Sequence, residues 1–507
     1  MSSLPIPSIL HLTRTRFFCA CIIAVASCLV VAALAMAEDT HGQFDGGPSP
    51  LASTQALFAG YNEDRVGTAV SLSGDLLAVG VPSADLGIAI DSGRVDIYRW
   101  INELGRWMKT MEIAQGTFGW TSTTNARFGA AVSASAGWLL IGCPGCPPAD
   151  AAKAVLVQIP DEINGIDGEV SEAASGSLTW YHATPPNLGE FSDPVEGTGS
   201  AVALNVVTLT LGGEQSIVVA IGSPAAAFGA TELGAIAMGK LDGNQVIWEY
   251  GPTYGNVEFG KFGKSLAMTS TRIDGLLFSY NRYLVVGHPS HVESGQVGAQ
   301  GRAVLWQRAG GSWSSVQAFT SPDPGFLDSF GSAVAIERGS TVSLGTIAIG
   351  APGRSYLGTP GGSVRIYRQE TANGAYLFER EVQHANAVPA DRFGGSLALN
   401  NGYLLVGADG RAVGNSANAG SAYLHRRALL IGQPIWPLQQ VLVEPDSNGG
   451  NAAFGSSVAI GRHVAAIGAP LSDAANLANA GTVVTYLCDH VFGDGIEGES
   501  SNACAGP

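Results

Sequence analysis

The stretch Phe330-Gly331-Ser332-Ala333-Val334-Ala335-Ile336, closed downstream by Gly350-Ala351-Pro352, decides the fold. An aromatic-Gly step opens it, an alternating run follows, and Gly-x-Pro ends it. The cassette occurs seven times. Its upstream members are Val66-Gly67, Phe128-Gly129, Thr198-Gly199, Phe262-Gly263, Phe330-Gly331, Phe393-Gly394 and Phe454-Gly455. The downstream members are Gly80-Val81-Pro82, Gly142-Cys143-Pro144, Gly222-Ser223-Pro224, Gly287-His288-Pro289, Gly350-Ala351-Pro352, the variant Gly407-Ala408-Asp409, and Gly468-Ala469-Pro470. The upstream glycines lie 62, 70, 64, 68, 63 and 61 residues apart. A period of this size is one supersecondary unit copied around a ring or along a stack.

Each unit reads as four strands. The alternating run, as in Ser457-Val458-Ala459-Ile460, has one large apolar face and one small-residue face, which suits a crowded inner edge. A run apolar at every position follows, such as Leu76-Leu77-Ala78-Val79 or Tyr283-Leu284-Val285-Val286, and reads as a strand buried on both faces. The proline lacks an N–H and ends that strand. A third strand starts after a glycine, as in Gly362-Ser363-Val364-Arg365-Ile366-Tyr367. A more polar fourth comes last, as in Leu377-Phe378-Glu379-Arg380-Glu381-Val382. The expectation is an all-β chain, a seven-bladed β-propeller of four-stranded antiparallel blades over residues 51–487. The seventh unit lacks a fourth strand, and Ser53-Thr54-Gln55-Ala56-Leu57-Phe58 matches the fourth-strand pieces Val316-Gln317-Ala318-Phe319 and Gln439-Gln440-Val441-Leu442. The N-terminal strand is therefore expected to close the ring and remove two exposed sheet edges.

These residues resemble the FG-GAP repeat family, which builds the N-terminal propeller of integrin alpha chains and occurs in many secreted bacterial proteins. Phe330-Gly331 with Gly350-Ala351-Pro352, and Phe454-Gly455 with Gly468-Ala469-Pro470, carry the likeness most clearly. The resemblance implies a propeller, often with an Asp-x-Asp-x-Asp-Gly calcium cage between first and second strands. Here those hairpins read Leu72-Ser73-Gly74-Asp75, Leu399-Asn400-Asn401-Gly402 and Ile460-Gly461-Arg462-His463, without the closely spaced oxygen ligands that calcium needs. No metal or cofactor is expected.

The ends carry their own signals. Arg14 and Arg16 precede an apolar run from Phe17 to Leu34, and Ala35-Met36-Ala37 supplies a cleavage site, so residues 1–37 read as an export signal and 38–50 as a linker. An uncleaved anchor and a lipoprotein box at Val25-Ala26-Ser27-Cys28 are the alternatives. The chain is expected to be secreted, periplasmic or on the cell surface, and monomeric, with membrane contact only if that segment is retained. A formal net charge of −16 argues against nucleic acid as a partner. Outside the signal, Cys143 pairs with Cys146 and Cys488 with Cys504 as expected disulfides, the latter bracketing a tail over 488–507. A redox Cys-x-x-Cys and a zinc site are the competing readings.

Catalytic signatures are missing: there is no Gly-x-Ser-x-Gly elbow and no His-Glu-x-x-His, and Gly263-Lys264-Ser265 lacks the rest of a phosphate loop. The connections from second to third and from fourth to first strands share one face and are the elaborate ones, running over Ser83 to Ser92, Gly116 to Ala126 and Asp409 to Ala419 among others. This points to a non-catalytic binding or adhesion module that meets a glycan or protein surface through that face, with Trp120, His288, His291, Tyr356, Asp409 and Arg411 as contacts. The alternative is an extracellular lyase or hydrolase acting on polysaccharide.

Overall fold

The computed structural model describes most of residues 51–488. Outside the description lie 1–50, 489–507 and, within the propeller, 58–59, 103, 148–152, 161–177, 184–196, 210–212, 229–230, 251–260, 273–279, 294–297, 338–344, 357–358, 370, 372–373, 385–386, 389, 446–449 and 462–463. The expected export signal and Cys504 fall outside it, as does the side chain of Cys488.

Seven four-stranded antiparallel sheets follow one another along the chain. Blade 1 is Ala69–Ser73, Leu76–Val81, Arg94–Ile101 and Arg106–Ala114. Blade 2 is Ala131–Ser135, Trp138–Gly142, Ala154–Gln158 and Trp180–His182. Blade 5 is Val334–Glu337, Thr346–Ala351, Ser363–Gln369 and Tyr376–Val382. Blades 3, 4 and 6 repeat the pattern, and no α-helix occurs among the described residues. In blade 7 the strands Ser457–Ile460, Val464–Ala469 and Thr482–Cys488 are completed by Leu51–Leu57, as expected. The Gln55 side chain donates to the Trp107 carbonyl and accepts from the Trp107 N–H, both at 2.9 Å. Gln317, its counterpart in the fourth strand of blade 4, grips Tyr376 of blade 5 in the same way. The N-terminal strand thus plays a fourth-strand part down to its side chain.

The repeated glycines hold the blades together. At the closing junction a Cβ on Gly468 would lie 2.0 Å from the Gly67 carbonyl oxygen, so only glycine lets the two backbones meet. The other junctions repeat this contact, from Gly80 against Gly129 to Gly407 against Gly455. Before five of the upstream glycines, Val66, Phe262, Phe330, Phe393 and Phe454 form a parallel bridge to the glycine that opens the third strand of the preceding blade, as Phe330 does with Gly301. Phe128, Phe262, Phe330, Phe393 and Phe454 are wholly buried. Truncating one to alanine costs about 3–5 kcal/mol.

The small residues of the inner strands also have a purpose. Ser71 Oγ accepts from the Ala134 N–H of the next blade at 2.9 Å, and Ser133 Oγ from the Leu204 N–H at 3.1 Å. Apolar residues pack between blades rather than on a central axis, in seven clusters that each span one junction.

Candidate functional site

The connections on the elaborate face knit into a collar. Among the described residues, the loops between second and third strands pair with the incoming connection of the next blade at every junction but that of blades 2 and 3: the Asn125 N–H donates to the Ile90 carbonyl at 2.8 Å and the Arg127 N–H to Asp91 at 3.0 Å. Within each loop the same turn recurs. The residue four past the Gly-x-Pro glycine donates its N–H to the residue one past that glycine, as Arg354 does to Ala351 and Cys146 to Cys143. This turn residue is Ala84, Cys146, Ala226, His291, Arg354, Arg411 and Ser472 in blades 1 to 7. One backbone position is therefore filled with different chemistry in successive blades.

In blade 5 it holds an ion-pair network. The Arg354 guanidinium donates to Asp328 at 3.0 Å and to Glu381 at 2.8 Å, and Arg365 reaches the same Glu381 at 2.8 Å. Burial opposes the charge on Arg354, but Glu381 and Asp328 outweigh it and hold the guanidinium above its usual range. Blade 6 repeats the motif with Arg411 on Asp391 at 2.8 Å. In blade 1 the position is Ala84, and Arg94 on the third strand reaches Asp64 instead, at 3.1 Å. Asp96 lies beneath, taking Arg94 at 3.1 Å and Lys109 at 2.8 Å.

Blades 2 and 4 hold this turn without an arginine–carboxylate pair among the described residues, although His291 Nε2 of blade 4 lies 3.5 Å from Glu293. Cys146 is joined to Cys143 by a disulfide with 5.4 Å between Cα atoms, and both residues are fully buried. His288 and His291 take the corresponding two positions in blade 4, with ring centroids 4.9 Å apart. Both are buried. Burial, with His291 and Arg302 nearby, pushes the His288 imidazole down to about 3, so it is neutral across the ordinary pH range. Among the described residues no group of three or more His, Cys, Asp or Glu is placed to hold a metal ion.

Over the blade 2 disulfide lies an aromatic cluster. Phe118 and Trp120, on the connection from blade 1, meet Trp180 and His182 from the outer strand of blade 2. Phe118 lies 5.0 Å from both Trp120 and Trp180. Trp120 stands edge-on to Trp180 at 5.7 Å and tilted over His182 at 5.4 Å, and Trp180 is 5.0 Å from His182. Phe118 is buried, the two tryptophans are half-buried and His182 is exposed. Burial lowers the His182 pKa from its ordinary value.

The six residues singled out from sequence do not form one constellation. Trp120 sits in the aromatic cluster. His288 and His291 pack together inside the blade 4 turn, where a surface ligand does not meet them first. Asp409 takes Arg392 at 3.0 Å and Arg411 pairs with Asp391, both within blade 6. Tyr356 lies in the short strand Ser355–Tyr356, its side chain outside the described residues. Trp180 and His182 went unread because the fourth strand of blade 2 follows a long connection. The aromatic run Trp180-Tyr181-His182 was its one signal.

A profile of the FG-GAP repeat matches residues 384–425, which span Phe393-Gly394 and Gly407-Ala408-Asp409 of blade 6. Blade 6 thus contains an FG-GAP repeat. The integrin-alpha-like propeller reading fits the blades just described. No curated protein matches this chain. Among solved structures it is similar to the periplasmic gluconolactonase of Pseudomonas aeruginosa, at 13% identity over 74% of this chain and 85% of that one, with a TM-score of 0.40. It is also similar to a fucose-specific lectin from Aleuria aurantia, at 10% identity over 76% and 99%, with a TM-score of 0.38. Neither likeness carries a statement about ligand or reaction.

Proposed function

We propose that this FG-GAP propeller is an exported, non-catalytic recognition module that engages a glycan or protein surface through the collar face. The observation that carries the reading is a contrast between blades 1 and 6. Their loops share one backbone: Leu86 bridges Ala89 as Val413 bridges Ser416, with Gly87 and Gly414 left-handed at φ 64° and 58°. At the tip blade 6 has Asn415 and Ala417, whereas blade 1 has Ile88 and Ile90, 99% and 59% exposed. The turn folds without the isoleucines, so their apolar surface serves something outside the fold. Tyr61, 76% exposed on the connection into blade 1, adds to it.

The placement of the chain ends supports the same face. Leu51 pairs with Cys488, so both ends of the propeller leave together, at the edge of blade 7 remote from the collar. Binding of the purified chain to glycan and protein arrays, run beside turnover assays on polysaccharides, tests the reading. Retention that falls in Ile88→Asn/Ile90→Ala supports it. Robust turnover lost on mutating collar or axial acids overturns it in favour of a polysaccharide-acting enzyme.

A further inference from the structure

We propose that Trp120, Trp180 and His182 form a stacking subsite for an uncharged pyranose ring of a polysaccharide. This rests on the collar-face reading and names a ligand class and a place for it. The argument starts from register. His182 pairs with Val155 just as Glu381 pairs with Arg365, so His182 occupies the position of the blade 5 glutamate. Ala126 stands where Asp328 stands, three residues before the upstream glycine, and Cys146 where Arg354 stands. All charged members of the blade 5 network are therefore replaced together in blade 2, by a small residue, a disulfide and aromatic rings.

The exchange does more than fill space. Phe118 and the disulfide supply the buried packing, and Cys143, Cys146, Ala126 and Phe128 share one core with Phe118. Trp120, Trp180 and His182 lie above that core with surface left over. Among the described residues their indole N–H groups and ring nitrogens make no hydrogen bond, whereas Trp138 Nε1 donates to Gln215 at 2.7 Å and Trp436 Nε1 to Glu379 at 2.9 Å. Aromatic faces bordered by unused polar edges match a ring with an apolar C–H face and a hydroxyl rim.

Charge narrows the class. The chain carries a formal −16, and the cluster itself contains no acidic or basic side chain apart from His182, whose proton affinity is lowered. An acidic sugar finds an opposing field and no cation within the cluster. A neutral one loses nothing.

The test is affinity electrophoresis of the full chain through gels containing dextran, mannan or xyloglucan, with alginate and polygalacturonate as acidic counterparts. Tryptophan fluorescence titration quantifies any retardation. Retardation by a neutral polymer is expected, weakened at least tenfold in Trp120→Ala and in Trp180→Phe, the latter keeping a packed ring should alanine at 180 unfold the blade. Retardation unchanged in both variants at unchanged melting temperature overturns the subsite. So does retardation by the acidic polymers alone, or binding confined to peptide arrays. If Ile88→Asn abolishes binding that both tryptophan variants retain, the subsite fails while the collar-face reading stands. If the chain binds no glycan and no protein, both fail.

Discussion

Blades 2 and 5 share a backbone and differ in almost everything hung from it at the collar. Blade 5 ties its turn with Arg354, Asp328 and Glu381, every partner satisfied by another side chain of the fold. Blade 2 ties the equivalent turn covalently, with the Lys153 ammonium donating to the Pro144 carbonyl at 3.3 Å and no carboxylate at the positions of Asp328 and Glu381. Its outer strand is then free to carry Trp180 and His182 over the staple. The lesson is that a repeat protein supplies its own controls: where one blade's side chains are fully used in holding the turn, another blade's surplus at the same address marks function.

The largest effect should come from breaking the blade 5 solution. Arg354→Met leaves Asp328 and Glu381 buried against no guanidinium from the loop, and should cost about 3–5 kcal/mol in urea unfolding. Replacing Arg354, Asp328, Glu381 and Arg365 together by apolar residues of similar volume should cost less than the single change, because no uncompensated charge of the network remains. A fourfold variant less stable than the single one would mean that the network stabilises the turn beyond satisfying its own charges.

Blade 4 offers a third solution and sharpens the comparison through pH. An unfolded histidine titrates near 6.5, whereas folded His288 stays neutral down to about 3 and His425 to about 4, both through burial. As pH falls below about 6.5 the unfolded chain takes up protons that the folded chain refuses, so stability is present above that value and lost on acidification. Each such histidine contributes a slope of about 1.4 kcal/mol per pH unit until its folded pKa is reached. His288→Asn should flatten the stability–pH curve by about that slope between pH 6 and 4. An unaltered slope would show that the imidazole is not held neutral.

The blade 2 staple closes a very short loop, so its removal should be the mildest change. Cys143→Ala/Cys146→Ala should lower stability by about 2 kcal/mol on the chain-entropy scale. It should also weaken any ligand bound over the cluster, since the staple lies in the core beneath Phe118. A loss of stability with binding intact would separate the staple from the aromatic surface above it.

Much of the fold was legible because close backbone approach admits only glycine. Gly67, Gly80 and Gly468 could be recognised as one repeating contact without knowing what they touched, and the match of Gln55 to Gln317 foretold the closing strand. The site was harder to read. His288 and His291 looked like a surface pair because a spacing of three belongs equally to an exposed loop and to a tight turn. Only the recurring hydrogen bond from His291 N–H to the His288 carbonyl, 3.1 Å, shows which turn it is and why the rings point inward. Trp180 and His182 were hidden because a fourth strand of three residues carries no periodicity of its own. Its register emerges only from pairing with Val155 and Val157.

The measurement that bears most directly on the division of labour between the two blades is a paired one. Melting temperature and retardation by neutral polysaccharide are recorded for the native chain, Trp120→Ala and Arg354→Met. The expected result is a crossed pattern: Trp120→Ala keeps its melting temperature within a few degrees and loses binding, while Arg354→Met melts markedly lower yet binds undiminished at temperatures where it is folded. If instead Trp120→Ala loses stability as heavily as Arg354→Met and binding survives in both, the blade 2 cluster is packing alone and the contrast between the blades has no functional content.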